Sequence, residues 1–276
     1  MILLFRVLSW LPLWLLHGIG WGLGWAVYAL SPTYRRRFAA NLQQAGFEGR
    51  QWRGAIGQAG QLVAELPRLW FGRPVALQWD GEGYIEQALA QGRGIVFLTP
   101  HLGSFEVTAQ AYAARYGKLQ PMTVLFRPSR QPRLRALVAS ARTRPGLQAA
   151  PTTLAGVKQL IKALRQGQSV GLLPDQVPPQ GLGVWAPFFG RAAYTMTLSA
   201  RLAQQTGAAV LVAWGERLSW GRGYRIHIQP LGTALPQDAA AAATAINQAM
   251  EQVIAACPQQ YLWGYARYKQ PRVEEL

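Results

Sequence analysis

His101 and Glu106 stand five positions apart in the segment Pro100-His101-Leu102-Gly103-Ser104-Phe105-Glu106, directly after the apolar run Ile95-Val96-Phe97-Leu98. The chain has only three histidines and twelve acids, so the pairing is not a by-product of abundance. A histidine oriented by a carboxylate is a general base that can activate a hydroxyl. On one helix, residues five apart point about 140° away from each other. The two can meet only if His101 lies on a turn and Glu106 on the helix that follows. The local sequence predicts that layout. Gly94 to Thr99 reads as a short buried strand between Gly and Pro. Ser104 reads as a helix cap, since it lacks the G-x-S-x-G setting of a nucleophile. Glu106 then falls in the first helical turn, where the dipole favours a carboxylate.

Other polar residues follow predicted strands. Arg127 closes Met122 to Arg127 and suits a phosphate or a developing oxyanion. Asp175 and Gln176 follow Ser169 to Leu173, and Asp175 is one of only three aspartates. It could position an acceptor or an Arg, although Pro174-Asp175 is also an ordinary turn pair. Ligand sites of open α/β sheets form at the carboxyl ends of strands, so these residues are expected to converge. His227 lies in an alternating strand and reads as structural. No metal-ligand spacing occurs, and neither a metal nor another cofactor is expected. The single Cys257 excludes an internal disulfide.

The elements that must position these residues alternate between strand and helix. Helices are expected at Tyr84 to Ala90, Leu134 to Arg144, Leu154 to Arg165 and Thr197 to Thr206. Strands are expected to end near Trp79 and to run over Ala209 to Trp214 and Tyr224 to Gln229. Asp238 can cap a last helix through Ala256, stopped by Pro258. This pattern predicts an α/β fold, a layered sheet flanked by helices.

The amino terminus has a different character. Val7 to Leu30 is uncharged except for a titratable His17 and is long enough, at roughly 36 Å, to cross a bilayer core. Arg35, Arg36 and Arg37 follow it, against Arg6 alone before it, which predicts a body facing the cytoplasm. No small-residue cleavage site follows, so an uncleaved segment is expected. Trp10, Trp14, Trp21 and Trp25 fall within about 60° on a helical wheel, a stripe that also fits a helix lying in the interface. Gly18, Gly20, Gly22 and Gly24 give two overlapping G-x-x-x-G spacings. The expected organisation is a membrane anchor over 1–30 and one cytoplasm-facing domain over 31–276.

Half of the 276 residues are hydrophobic, 14% are charged, and the net charge is +16. A basic, apolar, Trp-rich chain points to an anionic partner at a membrane surface. Basicity alone also fits nucleic acid. Against that rival, no zinc-finger spacing, RNP-like strand or basic tail is present, so no nucleic-acid partner is expected. Arg outnumbers Lys 24 to 4. Arg presents a planar, bidentate donor for phosphate, while GC-rich codon usage gives the same ratio.

The segment His101-Leu102-Gly103-Ser104-Phe105-Glu106 resembles the H-x4-(D/E) motif of the glycerolipid acyltransferase superfamily. Pro174-Asp175-Gln176, Pro187-Phe188-Phe189-Gly190, Leu202-Ala203 and Thr206-Gly207-Ala208 together resemble the late acyltransferases of lipid A biosynthesis. Asn41-Leu42, Phe126-Arg127-Pro128, Tyr261-Leu262-Trp263 and Arg267-Tyr268-Lys269 agree. The resemblance implies a glycerol-3-phosphate acyltransferase-like fold at the bacterial inner membrane. It implies transfer of a fatty acyl chain from acyl carrier protein to a hydroxyl of a lipid A precursor. In that mechanism His101 is the base and Glu106 orients it. Arg127 stabilises the oxyanion, and Asp175, Gln176 and Ser104 bind substrate. The same chemistry on an ornithine lipid or lysophospholipid is the near alternative. A non-catalytic binder of anionic glycolipid is the distant one.

Overall fold

The computed structural model describes residues 2–126 and 144–273. Alternation of strand and helix yields a seven-stranded sheet covered on both faces. Its strands are β1 (Leu77–Asp80), β2 (Ile95–Leu98), β3 (Met122–Phe126), β4 (Leu147–Pro151), β5 (Ser169–Leu172), β8 (Ala209–Arg217) and β9 (Tyr224–Pro230). They lie in the order β1-β9-β8-β2-β5-β3-β4. All neighbours are parallel except β8 and β9. Among the described residues two further strands, β6 (Gly183–Phe188) and β7 (Arg191–Met196), form a separate antiparallel hairpin.

The central strands β2 and β5 are buried on both faces, and alternate residues of the sheet feed two cores. Ile95 and Phe97 pack with α6 (Glu82–Ala90) and α7 (Phe105–Tyr116). Val96 and Leu98 pack with the opposite layer. That layer contains α3 (Pro32–Gln44), α4 (Arg50–Ala64), α8 (Leu154–Arg165), α9 (Leu198–Thr206) and α10 (Ala239–Ala256). The Asp238 cap read from sequence is in place at α10, and α8 carries a cap as well. Thr153 accepts from the Gly156 amide, and Asp238 accepts from the Ala241 amide. Ser104 does occupy the cap position of α7, but its side chain makes no capping bond, which corrects that expectation.

Short helices α1 (Ile2–Leu8) and α5 (Leu66–Phe71) flank the longer α2 (Leu13–Leu30). By length and composition α2 is apolar enough to cross a membrane. One face of it is packed on α4. Gly20 and Gly24 permit this approach, since a Cβ on Gly24 would lie 2.2 Å from the Ile56 carbonyl oxygen. Leu13, Leu16 and His17 are buried on the same side, whereas Trp10, Trp14, Trp21 and Trp25 are exposed. Ser31 and Pro32 end α2 and start α3, with the Ser31 hydroxyl accepting from the Tyr34 amide.

Three strands, β4 and both strands of the β6–β7 hairpin, were not legible in the sequence. β4 is Ala-rich and has weak strand preference. β6 contains Pro187, which normally argues against a central strand. In a two-stranded hairpin each strand has a free edge, and Pro187 sits there opposite Ala192. The expected helix Leu134 to Arg144 falls almost wholly on residues outside the described ones.

Candidate active site

β2 ends at Leu98 beside Leu172 of β5, and the chain continues for three residues on each side to His101 and Asp175. Asp175 is 2% exposed and holds His101 at two points. Its Oδ2 accepts from the His101 amide at 2.9 Å, and its Oδ1 lies 2.7 Å from Nδ1 of the ring. Burial pushes the Asp175 carboxyl up, but electrostatic attraction to the His101 ring, the two hydrogen bonds from His101 and the Arg267 cation together hold it below its ordinary value. An ionised carboxylate can only accept, so the proton belongs on Nδ1. Nε2 is then left with its lone pair. It lies 3.0 Å from Nε2 of Gln176, which can donate to it.

The loop that carries His101 is pinned from several sides. The His101 carbonyl accepts from the Leu262 amide, and the Gly103 amide donates to the Gln260 carbonyl. Gly103 takes a positive φ of 57°, and a Cβ there would sit 2.0 Å from the Gly215 oxygen. Beneath the loop, Arg217 donates to the Gly103 carbonyl and to both carboxylate oxygens of Glu65. His17 of α2 and the Tyr224 hydroxyl also bond Glu65. Glu65 is fully buried, and burial alone would raise its pKa. The charge and hydrogen bonds of Arg217, helped by His17, bring it down to about 2. This paired network ties α2, the α4–α5 junction and β8 to the His101 loop.

Glu106 lies in the first turn of α7, 8% exposed, and accepts from the Trp70 indole at 3.4 Å. The Arg144 guanidinium is close enough to feel its charge. Among the described residues, the His101 ring nitrogens are bonded by Asp175 and Gln176, not by Glu106. His101, Glu106 and Gln176 nonetheless line one cavity of about 660 Å³. Apolar side chains form most of its wall, among them Phe97, Tyr112, Met122, Ile226 and Ile228. A histidine held by a buried carboxylate at the edge of a large apolar cavity has the geometry needed to accept a proton from a hydroxyl.

Residues 1–270 match the profile of the family described as bacterial lipid A biosynthesis acyltransferase. The chain belongs to this family. It is 28% identical over 223 residues to a lipid A biosynthesis palmitoleoyltransferase of Escherichia coli (strain K12), covering 78% of this chain and 70% of the relative. It is 29% identical over 215 residues to the lauroyltransferase of the same organism, covering 76% and 68%. A phosphatidylinositol mannoside acyltransferase of Mycobacterium tuberculosis (strain ATCC 25618 / H37Rv) is 28% identical over 221 residues, covering 76% and 64%. The protein is therefore an acyltransferase.

In this acyltransferase the structure brings together four of the expected residues, His101, Glu106, Asp175 and Gln176. Ser104 is fully buried beside them. Arg127 lies outside the described residues. Several contributors escaped the sequence reading. Arg144 and Trp70, neighbours of Glu106, belong to no motif in the sequence. Glu65 and Arg217, which support the Gly103 carbonyl, gave no local signal at all. They lie 152 residues apart and meet only in the folded chain.

Proposed function

We propose that this acyltransferase moves a fatty acyl chain from an acyl carrier protein thioester to a hydroxyl of a lipid A-type glycolipid. The observation that carries the reading is the His101–Asp175 bond, which leaves Nε2 as an acceptor beside an apolar cavity. In this mechanism the acceptor hydroxyl displaces the Gln176 amide from Nε2 and gives that nitrogen its proton. The hydroxyl oxygen attacks the thioester carbonyl carbon as the C–O bond forms. The tetrahedral intermediate collapses, the C–S bond breaks, and the thiolate recovers the proton from His101. Asp175 keeps Nδ1 protonated throughout and stabilises the imidazolium.

Glu106, a carboxyl group on the cavity wall, assists His101. Arg127 stabilises the oxyanion of the tetrahedral intermediate. The cavity is within the ~300–1,000 Å³ usual for ligand sites, and its apolar wall suits the donor chain. The net charge of +16 suits an acidic carrier protein and an anionic acceptor. We further propose association with the bacterial inner membrane through residues 1–30, with the remaining chain facing the cytoplasm. A second acceptor class, a glycolipid of the phosphatidylinositol mannoside type, is favoured by the similarity to the mycobacterial enzyme.

The test offers purified wild type and His101→Ala a mixture of acyl carrier protein thioesters with a lipid A precursor. Products are read by mass spectrometry. Acylated precursor from wild type, lost by at least ~100-fold in the variant, supports the reading. Equal product from both refutes it.

A further inference from the structure

Trp220 is 87% exposed and adopts φ 59°, ψ 27°. A bulky residue in the left-handed region is strained, and here the strain presents an indole to solvent. It sits in the loop 218–223 between β8 and β9. Gly221 and Gly223 in the same loop also have positive φ. Gly221 lies against the backbone of α2, where a Cβ would come within 2.3 Å of the Trp14 nitrogen. The Trp220 loop thus packs on the start of α2 at the exposed Trp14, although more than 200 residues separate the two in sequence.

The surroundings are apolar and cationic. Leu3, Leu4, Val7, Trp21, Leu23 and Trp25 are exposed along α1 and α2. The Arg73 guanidinium lies 5.8 Å from the Trp10 ring. Arg6 and Arg222 are exposed, as are Arg35, Arg36 and Arg37 beyond α2. The first acid in the chain is Glu48, and the loop 218–223 contains none. Indoles with arginines and without acids match the interface of an anionic bilayer.

The topology fixes which end of the protein this face adjoins. β8 runs parallel to β2, so the loop after β8 and the loop after β2, which carries His101, lie at the same end of the sheet. We propose that the Trp220 loop and the exposed side of α1–α2 form one docking face for an anionic bilayer. In this arrangement α2 lies in the interface, with its other side packed on α4, and the catalytic end of the sheet is turned toward the lipid. The inference rests on the proposed function in taking the acceptor to be a lipid drawn from that bilayer.

The test exploits the lone cysteine, which is buried. Full-length Trp220→Cys, labelled with an environment-sensitive fluorophore, is mixed with vesicles of phosphatidylethanolamine and phosphatidylglycerol. Leu119→Cys is the control, 90% exposed and just before β3, at the opposite end of the sheet. The label at 220 is expected to shift blue and to be quenched by lipid-borne quenchers. The label at 119 should stay accessible to iodide. Trp220→Gly removes the indole and relieves the left-handed strain, and should raise the apparent Kd for these vesicles at least ~10-fold. Acyl transfer to detergent-dispersed acceptor should be unchanged. An iodide-accessible label at 220 on vesicle-bound protein overturns the proposal. So does wild-type vesicle affinity in Trp220→Gly, or a wild type that does not bind anionic vesicles. Docking without acyl transfer would instead count against the proposed function alone.

Discussion

Asp175→Asn separates the geometry of the site from its chemistry. The substitution keeps the shape of the side chain and leaves one oxygen to accept from the His101 amide, now held at 2.9 Å. The other position becomes an NH2, which donates to Nδ1 instead of accepting from it. The ring must then carry its proton on Nε2, the atom that has to receive the proton of the acceptor hydroxyl. Inversion of a catalytic imidazole in this way costs about 10⁴-fold in kcat where it has been isolated in another enzyme. General-base catalysis as a whole contributes about 10²–10⁴-fold. The expected loss is therefore about 10³–10⁴-fold, or roughly 4–5.5 kcal/mol of transition-state stabilisation. The assay is single-turnover acyl transfer at saturating donor thioester, with a thermal midpoint measured on the same preparation. His101→Ala and the double variant complete the cycle. Because the two residues act as one unit, the double variant should be hardly slower than either single one. A folded Asp175→Asn protein with kcat within about 10-fold of wild type would refute the assignment of Asp175 as the orienting group. So would additive losses in the double variant.

Three further outcomes are expected. Glu106→Gln removes a carboxylate from the cavity wall and should lower kcat by about 100-fold with a near-native thermal midpoint; an unchanged rate would remove Glu106 from the mechanism. Arg217→Met leaves Glu65 charged and buried without its main partner, at a cost of about 3–5 kcal/mol and roughly 10 °C of thermal midpoint. The Glu65 carboxyl is lowered from 4.5 to about 2, so its contribution is fully present above pH 4.5 and is lost as pH falls toward 2. Thermal midpoints across that range should show this acid-induced loss in wild type and a blunted one in Arg217→Met; parallel curves would refute the linkage. Gly171→Val adds a side chain to the cavity wall, where even a Cβ would sit 3.1 Å from Val124 Cγ1. It should shift donor choice toward shorter acyl chains in a mixed-thioester competition, and an unchanged product distribution would contradict the cavity's role.

The fold was largely legible because its signals are local. Helix α8 runs over the expected Leu154–Arg165, and the last helix is capped by Asp238 as its side chain suggested. Strands β2, β3, β5, β8 and β9 appear within a few residues of the apolar runs that announced them. The site was legible only as a set of members. His101, Asp175 and Gln176 were recognisable because each follows a strand, but which of them touch is decided by strand order, a non-local property. Placing β5 directly beside β2 in parallel register aligns Leu98 with Leu172. Three residues beyond each, His101 and Asp175 come into hydrogen-bond contact across 74 residues of sequence. Glu106, only five residues from His101, is instead drawn into the first turn of α7, toward Trp70 and Arg144. Proximity in sequence favoured Glu106 as the neighbour of His101, but sheet topology gives the contact with Nδ1 to Asp175. The same logic applies to Glu65 and Arg217, whose pairing supports the His101 loop from beneath. A single sequence reports which residues can do chemistry; the order of parallel strands determines which of them do it together.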